Sequence, residues 1–124
     1  MRKEISKNHR YYFYDLGIRN ALINNFNPLS LRDDIGMLWE NYIIAERIKA
    51  QEYLRIGSNN YFWRTYDRKE VDLVEERSGH LYGHEITWNQ KKSIPPAWLS
   101  AYPNALGDVI TKERYLDFIT GSSV

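Results

Sequence analysis

The sequence predicts an α/β fold in which helices flank a mixed β-sheet, with the core order helix, three strands, helix, strand. Three observations lead there. Residues 30–55 carry apolar side chains at helical spacing. Three segments rich in aromatic and β-branched residues follow, divided by polar or glycine-containing turns. A proline pair, Pro95-Pro96, then opens a second helical pattern before a last apolar strand. Hairpins at the front and a helical crossover at the back make such a sheet mixed.

Each element has a local reason. Residues 1–10 are polar and basic without periodicity and read as a loose lead-in. Residues 11–14 form an aromatic strand, and Asp15 caps a short helix bearing Leu16, Ile18, Ala21, Leu22 and Ile23. The run from Asn24 to Pro28 breaks that helix, so a strand and helix over 11–29 precede a core over 30–119. Ser30, Asp33 and Asp34 offer cap oxygens and negative charge at the positive end of the long helix. Its apolar stripe is Ile35, Leu38, Trp39, Tyr42, Ile43 and Ala50, and it should end near Arg55 with Gly57 as the stop. Strands follow at 60–65, 70–75 and 81–88, with turns at 66–69 and 77–79. Trp98, Leu99 and Tyr102 mark the helix after the prolines, which Pro103-Asn104 ends. Residues 106–111 read as a strand, 113–119 as a short helix and 120–124 as a tail. The 124 residues suit a single domain large enough to bury a core.

Composition bounds the chemistry. The formal net charge is +1, so no global field favours nucleic acid or an anionic membrane, and any basic surface must be local. Cysteine is absent, which excludes disulfides and thiolate metal sites. No apolar run reaches about 18 residues and no charged segment leads into an apolar one, so a cytoplasmic protein without a membrane partner is expected. Neither Gly-x-x-x-x-Gly-Lys nor Gly-x-Gly-x-x-Gly occurs, so no nucleotide site is expected in this chain. His9, His80 and His84 lack metal-ligand spacing, and Ser58, Ser78 and Ser93 lack a partner base. The ten tyrosines and four tryptophans sit mostly in apolar contexts that suit packing.

Three acids stand out. If Ser78-Gly79 is a two-residue hairpin loop, Arg77 pairs with His80, and counting outward sets Asp72 opposite Glu85. Strict alternation places Glu70, Asp72, Glu85 and Thr87 on one face, and Val71, Leu73, His84 and Ile86 on the other. His84 then turns away from Glu85 and reads as a packed or hydrogen-bonded residue. Adjacent acids repel, and they are either held by a divalent cation or solvated on an open face. Glu40 falls beside the apolar stripe, just after Trp39, where a carboxylate needs a partner or a metal. Glu46 reads as a salt-bridging residue.

Four motifs occur in order: Gly36-Met37-Leu38-Trp39-Glu40-Asn41-Tyr42-Ile43, Tyr61-Phe62-Trp63-Arg64-Thr65, Glu70-Val71-Asp72-Leu73-Val74 and His84-Glu85-Ile86-Thr87-Trp88-Asn89. Together they resemble the C-terminal domain of unknown function carried by many bacterial and archaeal AAA-type ATPases. That domain looks like a member of the PD-(D/E)-x-K nuclease-like superfamily. The resemblance begins at residues 11–17 and runs to about Phe118. It implies a restriction-endonuclease-like core, with Glu40, Asp72 and Glu85 as catalytic carboxylates holding Mg²⁺ or Mn²⁺. It also implies an ATPase module as partner, and DNA as a further one. The superfamily's third motif reads Glu-x-Lys, whereas this chain reads Glu85-Ile86-Thr87. Threonine carries no charge to stabilise a phosphate. Lys91 and Lys92 either reach back to the acids or stay as a solvated basic pair. Three functions remain open at this level: a degenerate nuclease-like domain with little cleavage, an active Mg²⁺-dependent phosphodiesterase with a displaced lysine, and a protein-interaction module.

Overall fold

In the computed structural model, which describes residues 2–4, 11–15, 35–88 and 91–121, six strands lie side by side in chain order. They are β1 (Arg2–Glu4), β2 (Tyr11–Asp15), β3 (Asn59–Thr65), β4 (Glu70–Arg77), β5 (His80–Ile86) and β6 (Leu106–Ile110). Helix α1 (Ile35–Tyr53) comes before β3, α2 (Pro96–Ala101) joins β5 to β6, and α3 (Tyr115–Thr120) follows β6. Neighbours are antiparallel except β5 and β6, which run parallel. A parallel neighbour needs a crossover, and α2 supplies it. The mixed α/β sheet and the core order match expectation. The lead-in does not: Arg2–Glu4 pairs with β2. The expected helix after Asp15 and the cap at Ser30, Asp33 and Asp34 lie outside the described residues.

Helices cover both faces. Against α1 and α3, Ile43, Ile44, Leu73, Ile86, Ile110 and Phe118 form one buried cluster. On the α2 side, Trp63, Val71, Val74, Trp98 and Ala105 form the other. Trp63 and Trp98 meet edge-on at 5.2 Å, so these aromatics are packing residues.

The long helix is rotated from its expected orientation. Its buried stripe is Ile43, Ile44, Arg47, Ala50 and Gln51, while Leu38 and Tyr42 are exposed. Apolar periodicity alone misses this because two of the five buried positions are polar. The stop also differs. Arg55, at φ +57°, takes the left-handed position, with Arg55 N donating to Glu52 O and Ile56 N to Gln51 O. Those bonds make a Schellman cap one residue after Leu54, and Gly57 is not needed for it. At the far end Gly121, at φ +82°, closes α3, and Thr120, expected in the tail, is its last helical residue.

The hairpin between β4 and β5 forms as counted. Ser78 and Gly79 have φ of +52° and +80°, as a type I′ turn requires, and Arg77 pairs with His80. Further along β5, Gly83 lies under the Trp98 indole, which donates from Nε1 to Leu106 O at 3.1 Å. A Cβ on Gly83 would come within 2.8 Å of Trp98 Nε1. Gly83→Ala should therefore shift a buried ring and cost about 1–3 kcal/mol, measurable by denaturant unfolding. An unchanged midpoint would mean that the indole moves freely.

Candidate functional site

The candidate site starts from an irregularity in β4. Between the pairs Tyr61↔Val74 and Trp63↔Val71, β3 advances two residues while β4 advances three. This is a β-bulge, which re-aims side chains. Alternation therefore breaks: Val71 joins Val74 on the α2 face, while Leu73 faces α1. The expected placement of Val71 beside Leu73 is thus corrected. Asp72 sits within the bulge.

The ladder between β4 and β5 runs from Arg77↔His80 to Leu73↔His84. At the next step carboxylates take over from backbone carbonyls. Asp72 N donates to Glu85 Oε1 at 3.0 Å, and Ile86 N donates to Asp72 Oδ2 at 2.9 Å. Each acid thereby holds the other strand's backbone. Asp72 is 4% exposed and Glu85 8%, so they are buried and paired rather than separately solvated.

Burial pushes the Glu85 carboxyl up to about 9, helped by the Asp72 charge and a hydrogen bond to the Asp72 side chain, and opposed by Lys92. At neutral pH Glu85 therefore keeps its proton. Lys92 reaches the acids: its Nζ lies 3.2 Å from Asp72 Oδ2 and 3.0 Å from Ile86 O. Lys91 is exposed. Burial disfavours the Lys92 ammonium, but the Asp72, Glu85 and Glu40 charges outweigh this and raise its pKa. Glu40, half-buried on α1, joins the group through that field. Thr87 is buried just past β5; its N donates to Ile110 O at 3.0 Å and its O accepts from Trp39 Nε1 at 3.1 Å. Its backbone thus ties β5 to β6 and to α1. Glu46 pairs with Lys49 at 2.9 Å, as expected of a salt-bridging residue.

Oxygen donors such as Asp72 and Glu85 suit a hard cation such as Mg²⁺ or Mn²⁺. Here those oxygens are already engaged. Lys92 Nζ lies against Asp72 Oδ2 and Ile86 O, and Glu85 Oε1 accepts from Asp72 N. Among the described residues, no three His, Cys, Asp or Glu side chains are grouped to hold a metal ion. The arrangement as it stands does not fit a resident metal.

A second polar group lies on the α1 face and was not singled out in the sequence. Arg47 donates to Glu75 through Nε at 2.6 Å and Nη2 at 3.1 Å, and to Phe118 O through Nη1 at 2.8 Å. Gln51 Nε2 also donates to Glu75. His84 spans Glu75, 3.3 Å from Nε2, and Asp108, 2.5 Å from Nδ1, which bears out its reading as a hydrogen-bonded residue. Burial works against the Glu75 carboxylate, but hydrogen bonds from His84 and Arg47 bring it down to about 2. Burial also opposes the His84 imidazolium, and Asp108 and Glu75 overcome that and raise its pKa. The available signal was Arg47 and Gln51, four residues apart and in helical phase with Ile43.

No helix among the described residues is long and apolar enough to cross a membrane. The chain is 31% identical over 101 residues to the uncharacterized proteins Rv2008c of Mycobacterium tuberculosis and Mb2031c of Mycobacterium bovis. That match covers 80% of this chain and 22% of each relative, so the chain spans about a fifth of their length. No solved structure matches it. Residues 35–106, from α1 through α2 to the first residue of β6, match the family described as Domain of unknown function (DUF4143). The chain belongs to that family.

Proposed function

We propose that this chain is a nuclease-like accessory domain of a AAA-type ATPase, with little or no cleavage activity, that contacts nucleic acid or regulates the ATPase. The element order and the resemblance of its motifs support a restriction-endonuclease-like ancestry. The much longer mycobacterial relatives leave room for an ATPase module. The observation that carries the reading is Lys92: its ammonium lies against Asp72 Oδ2 and Ile86 O, where a hard cation would need oxygen ligands. A built-in monovalent cation neutralises Asp72 but cannot polarise water or clamp a phosphate as a divalent ion does. Mg²⁺ or Mn²⁺ could enter only by displacing the ammonium and drawing the proton from Glu85.

The same contact also favours a second reading. Lys92 is the displaced lysine of an active Mg²⁺-dependent phosphodiesterase, moving aside to stabilise a phosphate once metal binds. A plasmid-nicking assay with Mg²⁺ and with Mn²⁺ separates the two. The native protein should leave supercoiled plasmid intact over hours. Nicking that Asp72→Ala and Lys92→Ala both abolish would establish the active enzyme and overturn the degenerate one. Thr87→Lys should not by itself restore cleavage, because Lys92 still holds the acids.

A further inference from the structure

A cavity of about 390 Å³ opens beside the Glu75 network, lined by Arg47, Arg77, His84, Arg114, Tyr82 and Phe118 among others. Among the described residues, the acids ion-paired with its lining are Glu75 and Asp108, so three arginines face two acids before His84 is counted. Burial works against charging the His84 imidazole, but its bonds to Asp108 and Glu75 favour the charged form, which adds to the excess.

Glu75 cannot absorb this excess. Its two oxygens already accept from Arg47, Gln51 and His84. Arg77 Nε approaches Glu75 Oε1 to 3.3 Å, yet that N–H is buried and makes no hydrogen bond. Arg77 lines the cavity, so its guanidinium can offer charge-assisted donors to an anion there. Arg77 is also held in place, with its guanidinium carbon 3.9 Å from the centre of the Tyr82 ring. Stacking fixes the plane of the fork and leaves its edge for a planar or tetrahedral oxyanion. Arg114 stands at the exposed side, with Nη1 on Val109 O at 2.7 Å and Nη2 3.7 Å from Asp108.

We infer that this cavity binds the phosphate group of a small phosphorylated molecule, held by Arg77 and Arg114 over Tyr82. The charge excess suits a dianionic phosphate better than a single carboxylate. A volume of about 390 Å³ falls in the range of small-molecule pockets, whereas a polynucleotide needs a groove that tracks its backbone. The site lies along Tyr82, Gly83 and His84 of β5 and Leu106, Gly107 and Asp108 of β6, and does not depend on the role proposed for the Asp72 and Glu85 pair.

The test is an amide-resolved NMR titration of the whole chain with pyrophosphate at constant ionic strength, with a single-stranded oligonucleotide of equal phosphate concentration as the second arm. Pyrophosphate should shift the Arg77, Gly83 and Gly107 amides saturably and leave that of Asp72 in place. Arg77→Gln and Arg114→Gln should each weaken binding about tenfold or more, as the loss of a charge-assisted hydrogen bond predicts. Arg114 is exposed, so its variant tests the site even if Arg77→Gln unfolds the chain. No saturation below about 10 mM, a Kd far weaker than specific recognition gives, would overturn the inference. So would an Arg114→Gln variant that binds like the native chain, or an oligonucleotide that moves the same signals more tightly than pyrophosphate does.

Discussion

Glu75→Ala should lower the melting temperature by roughly 10–20 °C, from a loss of about 3–5 kcal/mol for breaking a buried ion pair. Glu75 is fully buried and Arg47 is 1% exposed, so the substitution strands a guanidinium and an imidazolium together. The pH dependence follows from the carboxyl brought down from 4.5 to about 2 by His84 and Arg47 against the pull of burial. A depressed carboxyl stabilises the fold above its unfolded value, and that contribution is lost as pH falls from 4.5 towards 2. The native chain should therefore show an acid unfolding limb in that window that Glu75→Gln lacks. Arg47→Met with Glu75→Leu should cost less than the two single changes summed, because neither charge is left alone. Circular-dichroism melts across pH 2–7 decide this, and a Glu75→Ala loss under about 1 kcal/mol would mean that water reaches the network.

Glu85→Gln should do the opposite and stabilise the protein by about 1–3 kcal/mol near pH 7–8. Burial and the Asp72 charge raise the Glu85 carboxyl from 4.5 to about 9, so folding at neutral pH must place a proton on it. Such a group favours the fold fully below its unfolded value, and its contribution falls as pH rises towards 9. Glutamine needs no proton, can accept from Asp72 N as Glu85 Oε1 does, and can donate to the Asp72 carboxylate. The gain should therefore be small near pH 5 and grow with pH. A variant less stable than native at every pH would show that Glu85 is ionised and stabilising.

These two acids illustrate what the sequence made legible. The meeting of Asp72 and Glu85 followed from counting outward across Ser78-Gly79, because a two-residue turn with positive φ leaves one register. The order of helix, strands, helix and strand was readable from periodicity and from Pro95-Pro96. The β4 bulge was not readable, since the extra residue between Val71 and Val74 shows only against β3. The rotation of α1 was hidden because polar Arg47 and Gln51 occupy core positions that make sense only once Glu75 lies opposite. Arg55 took the left-handed cap that glycine usually fills, a choice made by the chain's path after the helix. The Lys92 contact was not readable either, because local spacing cannot show where a long side chain lands.

If the Lys92 ammonium fills a cation position beside Asp72, a divalent ion must compete with it. Paramagnetic broadening of the Asp72, Glu85 and Ile86 amides by Mn²⁺ near pH 7 tests it most directly, comparing the native chain with Lys92→Ala. Weak, non-saturating broadening of the native chain is expected through about 10 mM, with affinity at least about tenfold tighter once the lysine is removed, since each 1.4 kcal/mol of competition is tenfold. Saturable broadening of the native chain at low millimolar Mn²⁺, centred on those three amides and unchanged in Lys92→Ala, would contradict it.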